Sequence, residues 1–116
     1  MQRLHTLDAE FLYLEDASSP MHIASFSIFE GPAPSRDEVM RRYRAMLAEC
    51  PRYRQRVATV PFALGRPVWL DDPNFKLDYH VRWTALRAPG DYAAQCTLMG
   101  RLMSQMLDRE RPLWEC

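Results

Sequence analysis

The feature that most constrains this chain is a switch of spacing along its length. Stretches with apolar residues three and four positions apart, 35–50 and 91–106, bracket a run of short β-rich segments between Tyr53 and Leu86. Helical period, short strands and helical period again confine the chain to an α/β (α+β) arrangement, in which a mixed or antiparallel sheet carries flanking helices.

Local chemistry sets the expected boundaries. Ser35-Arg36-Asp37-Glu38 is a capping box: the Ser35 hydroxyl accepts from the Glu38 amide while the Glu38 carboxylate returns to the Ser35 amide. Val39, Met40, Tyr43, Met46 and Leu47 then form one apolar stripe, and Pro51 ends the helix. Asp91 is positioned to cap a second long helix with Tyr92, Cys96, Met99, Leu102, Met103 and Met106 on one face. A shorter helix is expected from an Asp8 cap to Leu14, broken by Ser18-Ser19-Pro20. The run from Met21 to Phe29 reads as a largely buried strand ended by Gly31-Pro32. Further short strands are expected at Tyr53–Val60, Pro67–Leu70 and Tyr79–Leu86. Leu113-Trp114 reads as an extended segment entering a core, an architecture continued rather than closed.

Composition excludes several classes. Fifteen basic residues balance fifteen acidic ones, so the footprint of a dedicated nucleic-acid binder is missing. With 47% hydrophobic and 26% charged residues the chain has the balance of one folded unit. Cys50, Cys96 and Cys116 are widely spaced and contain no CxxC pair, which points to neither a disulfide framework nor a metal site and suits a reducing cytosol. No run approaches a membrane span, and the first residues lack the apolar core of a signal peptide.

Residues able to carry chemistry are sparse. His5, His22 and His80 stand far from one another and from any carboxylate at ligand spacing, so each reads first as a structural or surface side chain. Ser104 lacks the GxSxG setting of a nucleophile, and four isolated glycines build no phosphate loop. Pro51-Arg52-Tyr53-Arg54-Gln55-Arg56 suits a phosphate or anionic lipid headgroup, or simply a half-exposed strand. The methionine-rich face of 91–106 suits an acyl channel or ordinary core filling.

Taken in order, Leu7-Asp8-Ala9 with Phe11-Leu12, Pro20-Met21-His22-Ile23, Pro51 to Arg56, Tyr79-His80-Val81-Arg82 and Leu107 to Glu115 form one pattern. It resembles the bacterial wax ester synthase/diacylglycerol acyltransferase family from about Leu7 to Cys116, most specifically at Pro112-Leu113-Trp114-Glu115. Asn74-Phe75-Lys76 departs from the family, which usually carries an acidic residue after the phenylalanine. A larger departure is that the family's HHxxxDG motif occurs nowhere in these residues.

The resemblance implies the N-terminal half of a chloramphenicol acetyltransferase-like fold, with residues 1–116 a partial acyltransferase domain truncated before HHxxxDG. It implies acyl transfer from acyl-CoA, a substrate rather than a cofactor, to diacylglycerol or a long-chain alcohol, with a motif histidine outside this fragment as general base. No metal and no cofactor are implied. Pro112, Leu113 and Trp114 become the expected motif-adjacent or tunnel residues, with Trp114 equally suited to pure core packing. The remainder of the same acyltransferase is the implied partner, and water-insoluble substrates imply a cytoplasmic protein peripheral to membranes or lipid droplets. A non-catalytic lipid- or partner-binding module is the rival expectation.

Overall fold

A computed structural model describes all 116 residues, Met1–Cys116. Three short strands, β1 (Gln2–Arg3), β2 (Gln55–Ala58) and β3 (Val68–Asp71), form an antiparallel sheet in the order β1-β3-β2. Register runs from Gln55 opposite Asp71 to Ala58 opposite Val68, and Gln2 faces Trp69 across the other edge of β3. Four helices accompany it: α1 (Thr6–Leu14), α2 (Arg36–Glu49), α3 (Leu77–His80) and α4 (Tyr92–Met103).

The helix α2 follows its sequence closely. Ser35 Oγ accepts from the Glu38 amide at 3.2 Å, and the helix stops at Glu49, two residues before Pro51. Only half of the expected box forms, because the Glu38 carboxylate instead takes a hydrogen bond from Arg42 at 2.9 Å, one turn further on. Met40 and Leu47 are buried, with Val39, Tyr43 and Met46 half-buried around them.

Elsewhere the structure corrects the expectations. In α1 the cap position is His5, which makes no side-chain cap, and Asp8 lies inside the first turn, where the helix dipole favours its charge. The expected strand from Tyr53 starts instead as a 3₁₀ turn over Pro51–Arg54 and pairs only over β2. Residues 21–30 form no regular element, and Ile23 is 95% exposed, because no strand of this chain lies alongside to take their backbone hydrogen bonds. The strand expected at Tyr79–Leu86 is replaced by α3: the Asp72 carboxylate accepts from the Asn74 amide in a tight turn, and Val81 N–H closes back on Leu77. Beyond it, the Arg82 amide donates to the Cys116 carbonyl and the Cys116 amide to the His80 carbonyl, each at 2.7 Å, tying the last residues to this segment.

The helix α4 forms behind its Asp91 cap, whose carboxylate accepts from the Ala94 amide at 2.9 Å. It ends at Met103, short of Met106, and buries none of its residues, so its expected core face lies open.

Openness is general. Eight of 116 residues are buried, among them Leu4, Ala9, Met40, Leu47, His80 and Val81. The surface of 9137 Å² exceeds the roughly 6,600 Å² expected of a closed monomer of this mass. Its radius of gyration, 16.6 Å, likewise exceeds the roughly 13 Å of a compact domain of this length, and its extents are 52 × 34 × 20 Å. The loop joining β2 to β3 adds local strain: Phe62 and Ala63 hold φ of 57° and 53°, a left-handed conformation costing about 1–2 kcal/mol per side-chain-bearing residue.

Candidate functional site

One apolar groove of ≈ 400 Å³ is built by segments far apart in sequence. Val57 and Trp69, direct partners across β2 and β3, put two side chains on one sheet face and form part of its wall. Leu4 after β1, Phe11 and Leu12 of α1, Met21 and Ile23 of the unpaired segment, and Leu107 and Leu113 of the last segment contribute the other apolar walls. Nine of its twelve lining residues are hydrophobic, which suits an alkyl chain rather than a polar metabolite.

The polar residues of this groove are Asp8, Glu15 and His22. Glu15 follows the last turn of α1, and its side chain is only 10% exposed. Arg109 donates to Glu15 Oε1 at 3.1 Å and to the Leu12 carbonyl at 2.7 Å, while the Met21 amide donates to Glu15 Oε2 at 3.0 Å. Burial alone pushes the Glu15 carboxyl up, but the Met21 bond, the bond and charge of Arg109 and the charge of His22 together hold it below its ordinary 4.5. The carboxylate thus stays charged at neutral pH and staples α1 to the last segment. His22 Nδ1 is enclosed without a hydrogen-bond partner, leaving one unused polar atom among the groove residues.

Neighbouring residues of the expected site part company. Leu113 lines the groove, whereas Trp114 does not; it stacks on His80 with centroids 4.6 Å apart, faces Tyr43 at 6.0 Å and meets Tyr53 edge-on at 5.7 Å. Trp114 Nε1–H donates to the Tyr53 carbonyl at 2.8 Å. His80, fully buried, is also stacked on Phe75. Its Nδ1 lies 2.7 Å from the Trp114 carbonyl, which can only accept, so this nitrogen donates a proton there, while Nε2 is enclosed without a hydrogen-bond partner. Pro112 is buried just before them. The Tyr43 hydroxyl donates to Cys116 Sγ; burial, then this bond and the negative charge of the ionised sulfur, push the phenol up to about 12.

The remaining candidates are not brought together. His5 is exposed, and Ser104 merely closes α4, its hydroxyl donating to the Arg101 carbonyl at 2.8 Å. In the basic stretch, Arg52 covers the Trp69 ring at 4.6 Å and Arg56 pairs with Glu110 at 3.5 Å, so two of its three guanidinium groups are engaged within the chain. No three His, Cys, Asp or Glu side chains converge to hold a metal ion, and no helix is long and apolar enough to cross a membrane. Glu15, Arg109 and the His80–Trp114 stack escaped the sequence reading. Arg109, His80 and Trp114 had only their membership of the ordered blocks as a signal and Glu15 had none, because the Glu15–Arg109 and His80–Trp114 contacts each span dozens of residues.

Comparison with known proteins places this geometry. Residues 4–116 match the model of the wax ester synthase/diacylglycerol acyltransferase catalytic domain. The chain is 42% identical over 117 residues to a putative diacylglycerol O-acyltransferase of Mycobacterium bovis, covering 99% of this chain and 25% of that protein. It is 40% identical over 115 residues to the probable diacylglycerol O-acyltransferase tgs3 of Mycobacterium tuberculosis, covering 97% and 42% respectively. Among solved structures it is similar to the wax ester synthase/diacylglycerol acyltransferase from Marinobacter aquaeolei VT8, with a TM-score of 0.75 and 32% identity over 99% of this chain and 28% of that one. The chain therefore spans about a quarter of the length of the first relative, and its fold is that of the matching part of a chloramphenicol acetyltransferase-like enzyme.

Proposed function

Because the chain belongs to the wax ester synthase/diacylglycerol acyltransferase family, we propose that it is the scaffold segment of an O-acyltransferase moving a long-chain acyl group from acyl-CoA to diacylglycerol or a long-chain alcohol. In that reaction the acceptor hydroxyl loses its proton to a base, attacks the thioester carbonyl and expels the CoA thiol. The observation that carries the reading is the apolar groove with Leu113 of the Pro-Leu-Trp-Glu block in its wall, a site fit to hold an alkyl chain.

We further propose that these residues do not turn over alone. The base must be accessible and oriented, yet His80 is fully buried in an aromatic stack and His5 lies exposed without a fixed partner. The HHxxxDG base of the family and the remainder of the acyltransferase complete the site in this reading. Pro112 and Trp114 act as positioning residues that fix Leu113, and the protein works at the surface of a membrane or lipid droplet. Incubating the chain with acyl-CoA and diacylglycerol or hexadecanol tests this: no ester above a protein-free control is expected, and turnover would overthrow the scaffold reading.

A second reading, a lipid- or partner-binding module without chemistry, draws on the unpaired, apolar segment 21–30. Supplying the remaining family segment in trans separates the two: restored esterification supports the acyltransferase scaffold.

A further inference from the structure

Large apolar side chains are exposed at many places, but most lie along regular faces or extended segments that another helix or strand can cover. Phe62 and Leu64 differ. They sit at the tip of the loop that projects beyond β2 and β3, and are 93% and 80% exposed. The tip is not slack: Pro61 opens it, the Leu64 amide donates to the Pro61 carbonyl at 3.3 Å, and both Phe62 and Ala63 are held at positive φ. A bulky aromatic in that conformation is uncommon. The loop thus fixes two apolar side chains outward at the cost of backbone strain.

The surroundings are cationic. Gln55 to Leu70 contains no acidic residue, while Arg66 flanks the tip and Arg3 sits opposite Val68 at its base. Neither Arg66 nor Arg3 enters an ion pair; Arg66 is braced by a hydrogen bond to Thr6 Oγ1 at 2.8 Å. Two side chains at a point offer far less than the roughly 800 Å² per partner of a stable protein interface. They suffice for shallow insertion between lipids, where apolar area and attraction to anionic headgroups act together.

We propose that Pro61–Arg66 is a surface anchor whose Phe62 and Leu64 enter the acyl region of an anionic phospholipid surface while Arg66 and Arg3 meet its headgroups. The inference rests on the reading that the protein works at a membrane or lipid-droplet surface but not on acyl transfer, and its test contains no acyl donor.

Co-sedimentation of the 116-residue chain with vesicles of phosphatidylcholine, alone or mixed with phosphatidylglycerol, reads the anchor directly. Phe62→Ser and Leu64→Ser should each lower the partition coefficient about tenfold. Arg66→Gln should lower it about fivefold on the mixed vesicles and leave it unchanged on phosphatidylcholine. Leu14→Ser, exposed on α1 and outside both the tip and the groove, should bind as the parent does. Phe62→Trp keeps an apolar tip and should gain a blue-shifted, bromolipid-quenched emission on binding, a readout that does not depend on the tolerance of the serine variants. Parental binding by Phe62→Ser, an equal loss in Leu14→Ser, or an unquenched Phe62→Trp overturns the anchor. So does a loss confined to self-association in the absence of vesicles, which would assign the tip to a second copy of the chain.

Discussion

His80 and Trp114, 34 residues apart, stack within 19° of parallel and share a hydrogen bond from the His80 ring to the Trp114 carbonyl. This double contact fixes the direction of the last segment. Trp114→Ala should destabilise the chain by about 3 kcal/mol in urea unfolding, since it removes a large half-buried ring and its bond to Tyr53. Trp114→Phe keeps stacking and loses one hydrogen bond, costing about 1 kcal/mol. Equal losses in the two variants would show that the stack contributes nothing.

Alternation between Leu113 and Trp114 predicts separable effects. A fluorescent long-chain acyl probe should bind the parent chain, and Leu113→Glu should abolish that binding by placing a carboxylate in the apolar groove wall. Trp114→Phe should bind the probe like the parent, because the ring faces the aromatic stack. Matching losses in both variants would place the groove elsewhere.

The lowered Glu15 carboxyl gives a pH dependence of known sign. A group depressed on folding contributes stability that is present above its unfolded value near 4.5 and is lost as pH falls through its lower folded value. Urea midpoints should therefore fall on acidification below about pH 4.5, and the Glu15-dependent part of that fall should shrink in Arg109→Gln. At neutral pH that variant should cost about 1–3 kcal/mol, because the enclosed carboxylate loses a charged donor. An unaltered acid limb would remove Arg109 from the account.

The two helix caps should behave differently. Ser35→Ala should lower global stability by about 1 kcal/mol, because α2 buries Met40 and Leu47. Asp91→Ala removes a similar bond from α4, which buries nothing, so its effect should appear as faster amide exchange across 92–103 with little change in the unfolding midpoint. A global loss for Asp91→Ala would mean that α4 is coupled to the rest of the fold.

What the sequence disclosed followed the range of each interaction. Ser35, Asp91 and Pro51 act within a turn, and the helices they bound were legible. The strand at 21–29 was misread because apolar β-branched and aromatic residues record a tendency, while a strand exists only beside a partner. Likewise Tyr79–Leu86 has strand composition, but the turn at Asp72 and the closure of Val81 on Leu77 wind its start into a helix. The family blocks marked Leu113 and Trp114 as expected neighbours of a site. Nothing local showed that one faces an apolar groove and the other a histidine, since that depends on side chains dozens of residues away.

The sheet order carries a consequence for synthesis. Gln2 and Arg3 leave the ribosome early, yet their only strand partner is β3, some 65 residues later, while β2 and β3 meet as a local hairpin. These two residues therefore wait unpaired until Val68 and Trp69 emerge, and the sheet closes in the reverse of the order in which its outer strands are made. Ribosome-bound chains halted before Trp69 should leave the backbone at Gln2 and Arg3 open to proteases, and those halted well after it should not.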